Sequence, residues 1–228
     1  MSDTSPSKPD HVYAALRRAI VEQALLPGDR LPEDLTGRSF GVSRTIVRSA
    51  FGRLQTEGLL ETRQNHGAMV ASPSLAEAAD IFRIRRVLER EVMERLLAAR
   101  DTIDLSRLEA HTAREEAAAQ AGGADSIRLA GAFHILLAEL TGSEILRQYI
   151  DGLVSRCSLI LALYSRPHSA DCAVREHRDI ISAIRTGDGA HALALMEEHL
   201  ADVAGRALLT QSAKRSRDLG AILASYAA

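Results

Sequence analysis

The stretch Gly41–Leu60, GVSRTIVRSAFGRLQTEGLL, decides the fold of the first part of this chain. Its apolar residues recur at i, i+3 and i+4 spacing over positions 46–54, which predicts a helix with one buried face. Gly41 suits the C-terminal cap of a preceding helix, and Ser43 suits the N-cap of this one. Two helices joined by so short a turn are typical of a helix-turn-helix.

The same region concentrates positive charge. Between Leu35 and Thr56 there are four arginines and no acidic residue, although acidic residues outnumber Lys and Arg by 30 to 28 in the whole chain of 228 residues. In a helix-turn-helix the second helix presents its first residues to the base edges of the major groove. A carboxylate there would be repelled by DNA, so the missing acids favour a DNA-binding face. The alternative is a solvated basic face on an ordinary helical protein.

The positions of these residues predict separate roles. Arg44 and Arg48 lie one turn apart, opposite the apolar stripe, where a guanidinium can bind guanine through two hydrogen bonds. Arg38 and Arg53 suit phosphate neutralisation. The residues predicted to contact bases or phosphates at the start of the helix are Ser43, Arg44, Thr45 and Arg48.

The rest of the chain divides into two parts. Short extended runs flank the turn-like QNHG, which predicts a hairpin after the second helix. Beyond Pro73 six helical patterns follow one another with short breaks, which predicts an all-α antiparallel bundle. The fold is therefore mainly α, and the predicted divisions are a disordered arm over 1–9, a winged helix-turn-helix over 10–72, a helical domain over 73–210 and a tail or short helix over 211–228.

Composition excludes some functions. No apolar run approaches the roughly 18 residues that a membrane span requires, so no membrane partner is expected. The two cysteines fit no metal or redox spacing and indicate reduced thiols in a cytoplasmic protein.

Three histidines in the second part lie on the apolar faces of three different helices. They are His134, His177 and His199. A single inward histidine is more often a core residue, but three in one bundle suggest convergence on a shared site, as imidazoles that bind a metal would.

The segment LPEDL…RSFGVSRTIVRSAFGRLQTEGLL resembles the winged-helix signature of GntR-type bacterial regulators. The resemblance implies a cytoplasmic transcription factor, a repressor, that binds a palindromic DNA operator as a homodimer. It also implies that the wing tip, His66 and Gly67, enters the minor groove. Ile46, Ser49 and Phe51 depart from the family pattern and bear on the operator sequence.

The segments RIRRVLEREV, FHILLAELTGSEIL and EHRDIISAIRTGDGAHALALMEEHL are similar to the FCD ligand-sensing domain of the FadR subgroup. That resemblance implies that His134, His177 and His199 bind a divalent metal, Zn, Ni or Mn, beside a small carboxylate effector. The alternative, found in members of the subgroup that lack metal, is that these residues and Arg85 contact an organic ligand directly. The family's usual fourth ligand, an Asp, is replaced by Ala130. Arg85 matches a family arginine. It either binds the effector carboxylate through its guanidinium group or forms a structural ion pair with Glu89. Arg86 is a second candidate for binding the effector.

Two other functions remain open at this stage. One is a helical metalloenzyme with an appended DNA-like domain, although the sequence contains no HExxH motif, Gly-rich phosphate loop or nucleophile elbow. The other is a DNA-binding protein whose sensor domain is degenerate and binds no ligand.

Overall fold

The computed structural model of the protein describes residues 7–63, 67–121, 124–164, 170–207 and 218–227. These residues form two compact units, one within 1–72 and 212–228 and the other within 73–211. The prediction of a mainly α-helical chain with a winged helix-turn-helix and a helical bundle is confirmed. None of the helices in the described ranges is long and apolar enough to cross a membrane.

The first unit begins with the helix-turn-helix and its wing. Its elements are α1 (Lys8–Val21), α2 (Glu33–Phe40), α3 (Arg44–Thr56), β1 (Leu60–Arg63) and β2 (Gly67–Val70). Gly41 ends α2 with a φ of +62°, a conformation that suits glycine. Ser43 occupies the N-cap position of α3 with extended backbone, but its side chain makes no capping hydrogen bond.

The core of this unit lies between α1 and α3. Leu16, Val47 and Leu54 are fully buried, and the predicted apolar stripe of α3 faces α1. The strands pair antiparallel, from Leu60 opposite Val70 to Arg63 opposite Gly67. The loop after α1 holds the hairpin, because Leu31 N–H donates to the Ala68 carbonyl at 2.8 Å.

The C-terminal residues form a further helix, α10 (Leu219–Ala227), which packs on α1 and α2 within the first unit. The sequence predicts only a tail or short helix here and gives no partner for it. Leu223 of α10 is fully buried. The first unit is therefore built from both ends of the chain.

The second unit is a bundle of long helices. They are α4 (Leu75–Ala98), α5 (Ser106–Ala121), α6 (Ala124–Leu140), α7 (Glu144–Tyr164), α8 (Ala170–Thr186) and α9 (Gly189–Ala207). Ser74 and Glu77 form a reciprocal capping box at the start of α4. Phe133, Leu137 and Ile150 are fully buried at the centre of its core.

Helices α6 and α7 approach closely at a glycine. A Cβ atom on Gly131 would lie 2.8 Å from Cγ1 of Val154, a β-branched side chain with little rotational freedom. Gly152 in α7 has no atom within 4 Å of the corresponding position. The contact at Gly131 therefore sets the spacing of α6, the helix that carries His134 one turn later.

We expect Gly131→Ala to destabilise the protein by about 1–3 kcal/mol, because the added methyl group forces α6 and α7 apart. Gly152→Ala is the matched control, and there the better helix propensity of alanine should stabilise by up to about 1 kcal/mol. Urea unfolding of both variants measures the difference. Equal effects of the two substitutions would contradict the close packing at Gly131.

Candidate functional site

The start of α3 presents an exposed polar face. Arg44, Thr45 and Arg48 are exposed, whereas Val47 and Ala50 are buried. Arg38 on α2 and Arg53 further along α3 are exposed as well. The helix therefore separates a core face from a basic face as the sequence predicts. Gly67 is exposed at the start of β2, and His66 lies outside the described residues.

Acidic residues from neighbouring helices pair with these arginines. Arg44 Nη2 donates to Asp34 Oδ2 at 2.8 Å, and Arg48 Nε donates to both Glu33 carboxylate oxygens at 2.8–2.9 Å. Glu33 also raises the pKa of Arg48 through this hydrogen bond. The stretch from Leu35 to Thr56 contains no acidic residue, but Glu33 and Asp34, which precede it on α2, supply two carboxylates to this face.

Arg53 is held differently. Its Nη1 donates to Asp10 Oδ1 at 2.5 Å, and its guanidinium carbon lies 3.7 Å from the centroid of the Tyr13 ring. Glu57 accepts a hydrogen bond from Tyr13 Oη and another from Arg17 Nε. Burial, followed by the bond to Glu57, raises the pKa of Tyr13 to about 12, so the hydroxyl keeps its proton.

The three predicted histidines meet inside the second unit. His134 on α6, His177 on α8 and His199 on α9 are each at most 3% exposed. One ring nitrogen from each lies within 4.8 Å of the others, and Nε2 of His134 is 3.2 Å from Nε2 of His199. In the described part of the chain this is the group of His, Cys, Asp and Glu side chains whose spacing could hold a metal ion.

Each imidazole has a carboxylate at its other nitrogen. His134 Nδ1 is 2.5 Å from Glu89 Oε2, His177 Nδ1 is 2.9 Å from Glu115 Oε2, and His199 Nδ1 is 2.6 Å from Glu176 Oε2. A neutral imidazole that donates its Nδ1 proton to a carboxylate keeps a lone pair at Nε2. The three pairs therefore aim the lone pairs inward.

This arrangement fits a cation. In a tetrahedral zinc site with Zn–N bonds of about 2.0–2.1 Å, the nitrogens lie roughly 3.3 Å apart, close to the spacing of His134 and His199. His177 Nε2 is a buried nitrogen without a hydrogen-bond partner in the structure. Inward lone pairs repel one another, and a bound metal would satisfy them together. Carboxylates on the outer nitrogens are the usual outer-shell partners of metal-bound imidazoles.

Arg85 lies behind His134 and is 4% exposed. Its Nε donates to Glu89 Oε1 at 2.6 Å, while the other oxygen of Glu89 contacts His134. Burial alone would raise the pKa of Glu89, but the positive charge of Arg85 and the hydrogen bonds from Arg85 and His134 outweigh it and lower the pKa to about 2. This geometry favours the structural role for Arg85. Arg86 is exposed and pairs with Glu197.

Some site residues were not identified from the sequence. Glu115 falls on a face of α5 with His111 and Thr112, a polar stripe that does not read as a core. Glu176 precedes His177 in the chain, but its carboxylate contacts Nδ1 of His199. Phe133 stacks on the His177 ring with centroids 3.8 Å apart. The signal for these residues is three-dimensional, because their partners lie 23 to 62 positions away.

Comparison with protein families supports both units. The model described as "Bacterial regulatory proteins, gntR family" matches residues 8–70, and the model described as "FCD domain" matches residues 80–202. The "Uncharacterized HTH-type transcriptional regulator YdhC" of Bacillus subtilis (strain 168) is 30% identical over 178 residues, which cover 76% of this chain and 79% of YdhC. The "HTH-type transcriptional repressor RspR" of Escherichia coli (strain K12) is 27% identical over 203 residues, or 87% of this chain and 89% of RspR.

Solved structures share the fold. E. coli McbR/YncC has a TM-score of 0.76 at 21% identity, covering 87% of this chain and 95% of that one. A putative GntR transcriptional regulator from Rhodococcus sp. RHA1 has a TM-score of 0.75 at 24% identity, covering 89% and 98%.

The buried titratable groups make the stability of the second unit depend on pH. Burial lowers the pKa values of His134 and His177 well below 6.5, while the unfolded chain protonates these residues below about pH 6.5. Protons therefore favour unfolding through the histidines. Burial raises the pKa of Glu115 to about 7. As the pH falls, Glu115 therefore binds a proton in the folded state before it does in the unfolded chain. This proton uptake favours folding and opposes the effect of the histidines.

We expect the free energy of unfolding of chelator-treated protein to fall by roughly 1 kcal/mol per pH unit from about pH 6.5 to about pH 5, because two histidines outweigh one glutamate. In Glu115→Gln the opposing proton uptake is removed, so the fall should be roughly twice as steep. Denaturant unfolding at three pH values measures both slopes. A wild-type stability that rises toward pH 5 would overturn this assignment.

Proposed function

The chain belongs to the gntR family of bacterial regulatory proteins and carries an FCD domain, and from this membership we propose an effector-controlled repressor that binds a palindromic operator as a homodimer. The chain is a transcriptional regulator rather than an enzyme, since the family and the curated relatives are regulators. A protein that binds a bacterial operator acts in the cytoplasm, so we propose a cytoplasmic location. The name of RspR, a repressor, supports the direction of regulation.

The observation that carries the DNA-binding role is the pair of exposed arginines on the first turns of α3, opposite its buried face. Arg44 and Arg48 would bind base edges in the major groove. Arg38 and Arg53 would neutralise phosphates. The remaining proposed contacts are Ser43 and Thr45 at the start of α3 and His66 and Gly67 in the wing.

The ion pairs on this face suggest how the free protein keeps the arginines in place. Glu33 and Asp34 hold Arg48 and Arg44 in exposed pairs, and such pairs are weak because solvent and salt screen them. Phosphates and guanine bases would compete for the same guanidinium groups. DNA binding would then exchange one set of partners for another and leave the backbone of α3 unchanged.

The sensor function is proposed for the three histidines. His134, His177 and His199 would hold a divalent metal, with Zn, Ni and Mn as candidates. The metal would supply a Lewis acid that a small carboxylate effector can bind. Ala130 lies one turn before His134, where the family commonly has an Asp ligand, so the chain leaves a coordination position open for that effector or for water.

We assign Arg85 an indirect part in this site. Its guanidinium fixes Glu89, and Glu89 fixes the His134 ring. An arginine that is 4% exposed and already paired with a buried carboxylate is poorly placed to clamp an effector. The effector carboxylate would therefore bind at the metal, beside the histidines.

The proposed dimer is supported by apolar side chains that remain exposed on two adjacent helices. Helices α4 and α7 pack against each other, and both expose large apolar residues. These residues are Ile84 (52% exposed), Val87 (67%), Ile145 (70%) and Tyr149 (64%). Exposed apolar surface of this kind can mark an interaction site. A second copy of the chain, related by a twofold axis, would cover them and match a palindromic operator.

We expect Arg44→Ala to weaken specific DNA binding by about 1–3 kcal/mol and to relax the preference at one base pair, because a bidentate contact with guanine is lost. Arg53→Ala should weaken binding to all sequences and reduce the slope of log K against log salt by about 1. Titration of duplexes selected from a random library with the wild-type protein tests both variants. Unchanged sequence preference in Arg44→Ala would remove it from the recognition role.

A further inference from the structure

Helix α10 belongs to neither of the two family regions. The family matches cover residues 8–70 and 80–202, whereas α10 spans Leu219–Ala227. The helix carries no charged side chain between its ends. It nevertheless packs on α1 and α2, the first two helices of the DNA-binding unit. Neither family match explains its position.

The contact with α1 and α2 has an apolar centre. Leu223 is fully buried on α10. A Cβ atom on Gly220 would lie 3.9 Å from Cδ1 of Leu35, which is van der Waals contact with α2. Asp218 begins the helix, and its Oδ1 accepts a hydrogen bond from the Ala221 N–H at 3.1 Å. The first turn of α10 therefore lies against α2.

Polar contacts fix the other end of the helix to α1. Tyr226 Oη donates to a carboxylate oxygen of Glu22 at the end of α1. The Arg18 guanidinium lies 5.0 Å from the centroid of the Tyr226 ring. His11 Nε2 lies 3.3 Å from the Ala227 carbonyl. These contacts span α1 from its first turn to its C-terminal cap, so they define one docked orientation of α10.

Helix α2 links this contact to the DNA-binding face. Leu35 of α2 lies beside Gly220 of α10, and the two preceding residues, Glu33 and Asp34, pair with Arg48 and Arg44 of α3. We propose that α10 is a positioning element of the DNA-binding unit: by holding α2 against α1, it places the two carboxylates that hold the recognition arginines. The expected effect of α10 on DNA affinity rests on the proposed function. The expected effect of α10 on the packing of α1 and α2 does not.

Hydrogen exchange in the full-length chain tests the packing. Leu223→Asp puts a charge into the buried contact, and Ala224→Asp puts the same charge on the exposed side of the same helix. We expect amide exchange in α1 and α2 to become about tenfold faster in Leu223→Asp and to stay within about twofold of wild type in Ala224→Asp. Exchange in α6, α8 and α9 should be unchanged in both variants. Leu223→Ala is a milder variant that should give the same pattern if the aspartate impairs folding.

DNA binding tests the positioning role. We expect Leu223→Asp to bind the selected duplex roughly fivefold more weakly, with an unchanged salt dependence because Leu223 makes no phosphate contact. Ala224→Asp should bind as wild type does. A purely structural helix on the far side of the unit would alter exchange but leave DNA affinity unchanged, and this result would overturn the positioning role.

Other outcomes are equally decisive. Equal exchange in the Leu223 variants and in wild type would show that α10 does not hold α1 and α2, whatever the DNA result. Wild-type protein that selects no duplex would contradict the proposed function; the exchange data would still decide whether α10 belongs to the first unit.

Discussion

The hydrogen bond between a buried imidazole and a carboxylate from a neighbouring helix is the interaction on which the second unit depends. It occurs three times and joins α4 to α6, α5 to α8 and α8 to α9 through His134, His177 and His199. A buried polar group without a partner is costly, so each bond restricts how its two helices can pack. The same bonds orient the rings, and the inward nitrogens are brought together as a result. Folding of the bundle and construction of the site are therefore one process.

In the DNA-binding unit carboxylates also orient functional side chains, but they do so at the surface rather than in the core. The buried face of α3 fixes the direction in which Arg44 and Arg48 point, and the acids of α2 fix their side chains. Weak, solvent-exposed pairs suit the proposed role of Arg44 and Arg48, because DNA would have to replace them. In the second unit Glu89 and Glu115 lie in the core, where their hydrogen bonds hold the rings of His134 and His177 in a defined orientation.

The sequence predicted the features of the structure that local patterns encode. Helical periodicity, the glycine at position 41 and the break at Pro73 gave the helix-turn-helix, the bundle and the inward faces of the three histidines. Contacts between distant residues were not predicted: Glu115 and Glu176 as partners of histidines, Asp34 as the partner of Arg44, and the return of α10 to the first unit. No spacing rule joins α10 to α1, because Tyr226 and its partner Glu22 lie 204 positions apart in the chain.

We propose that the three histidines form a metal site although Ala130 stands where the family commonly has an acidic ligand. The most direct test is the metal content of protein purified without chelator and reloaded with zinc, measured by inductively coupled plasma mass spectrometry. His199→Ala removes one inward ring, and His191→Ala removes an exposed histidine from the same helix as a control. The account predicts about one zinc per chain in the wild type and in His191→Ala, and little in His199→Ala. No zinc in the reloaded wild type, or equal zinc in all three proteins, would contradict it.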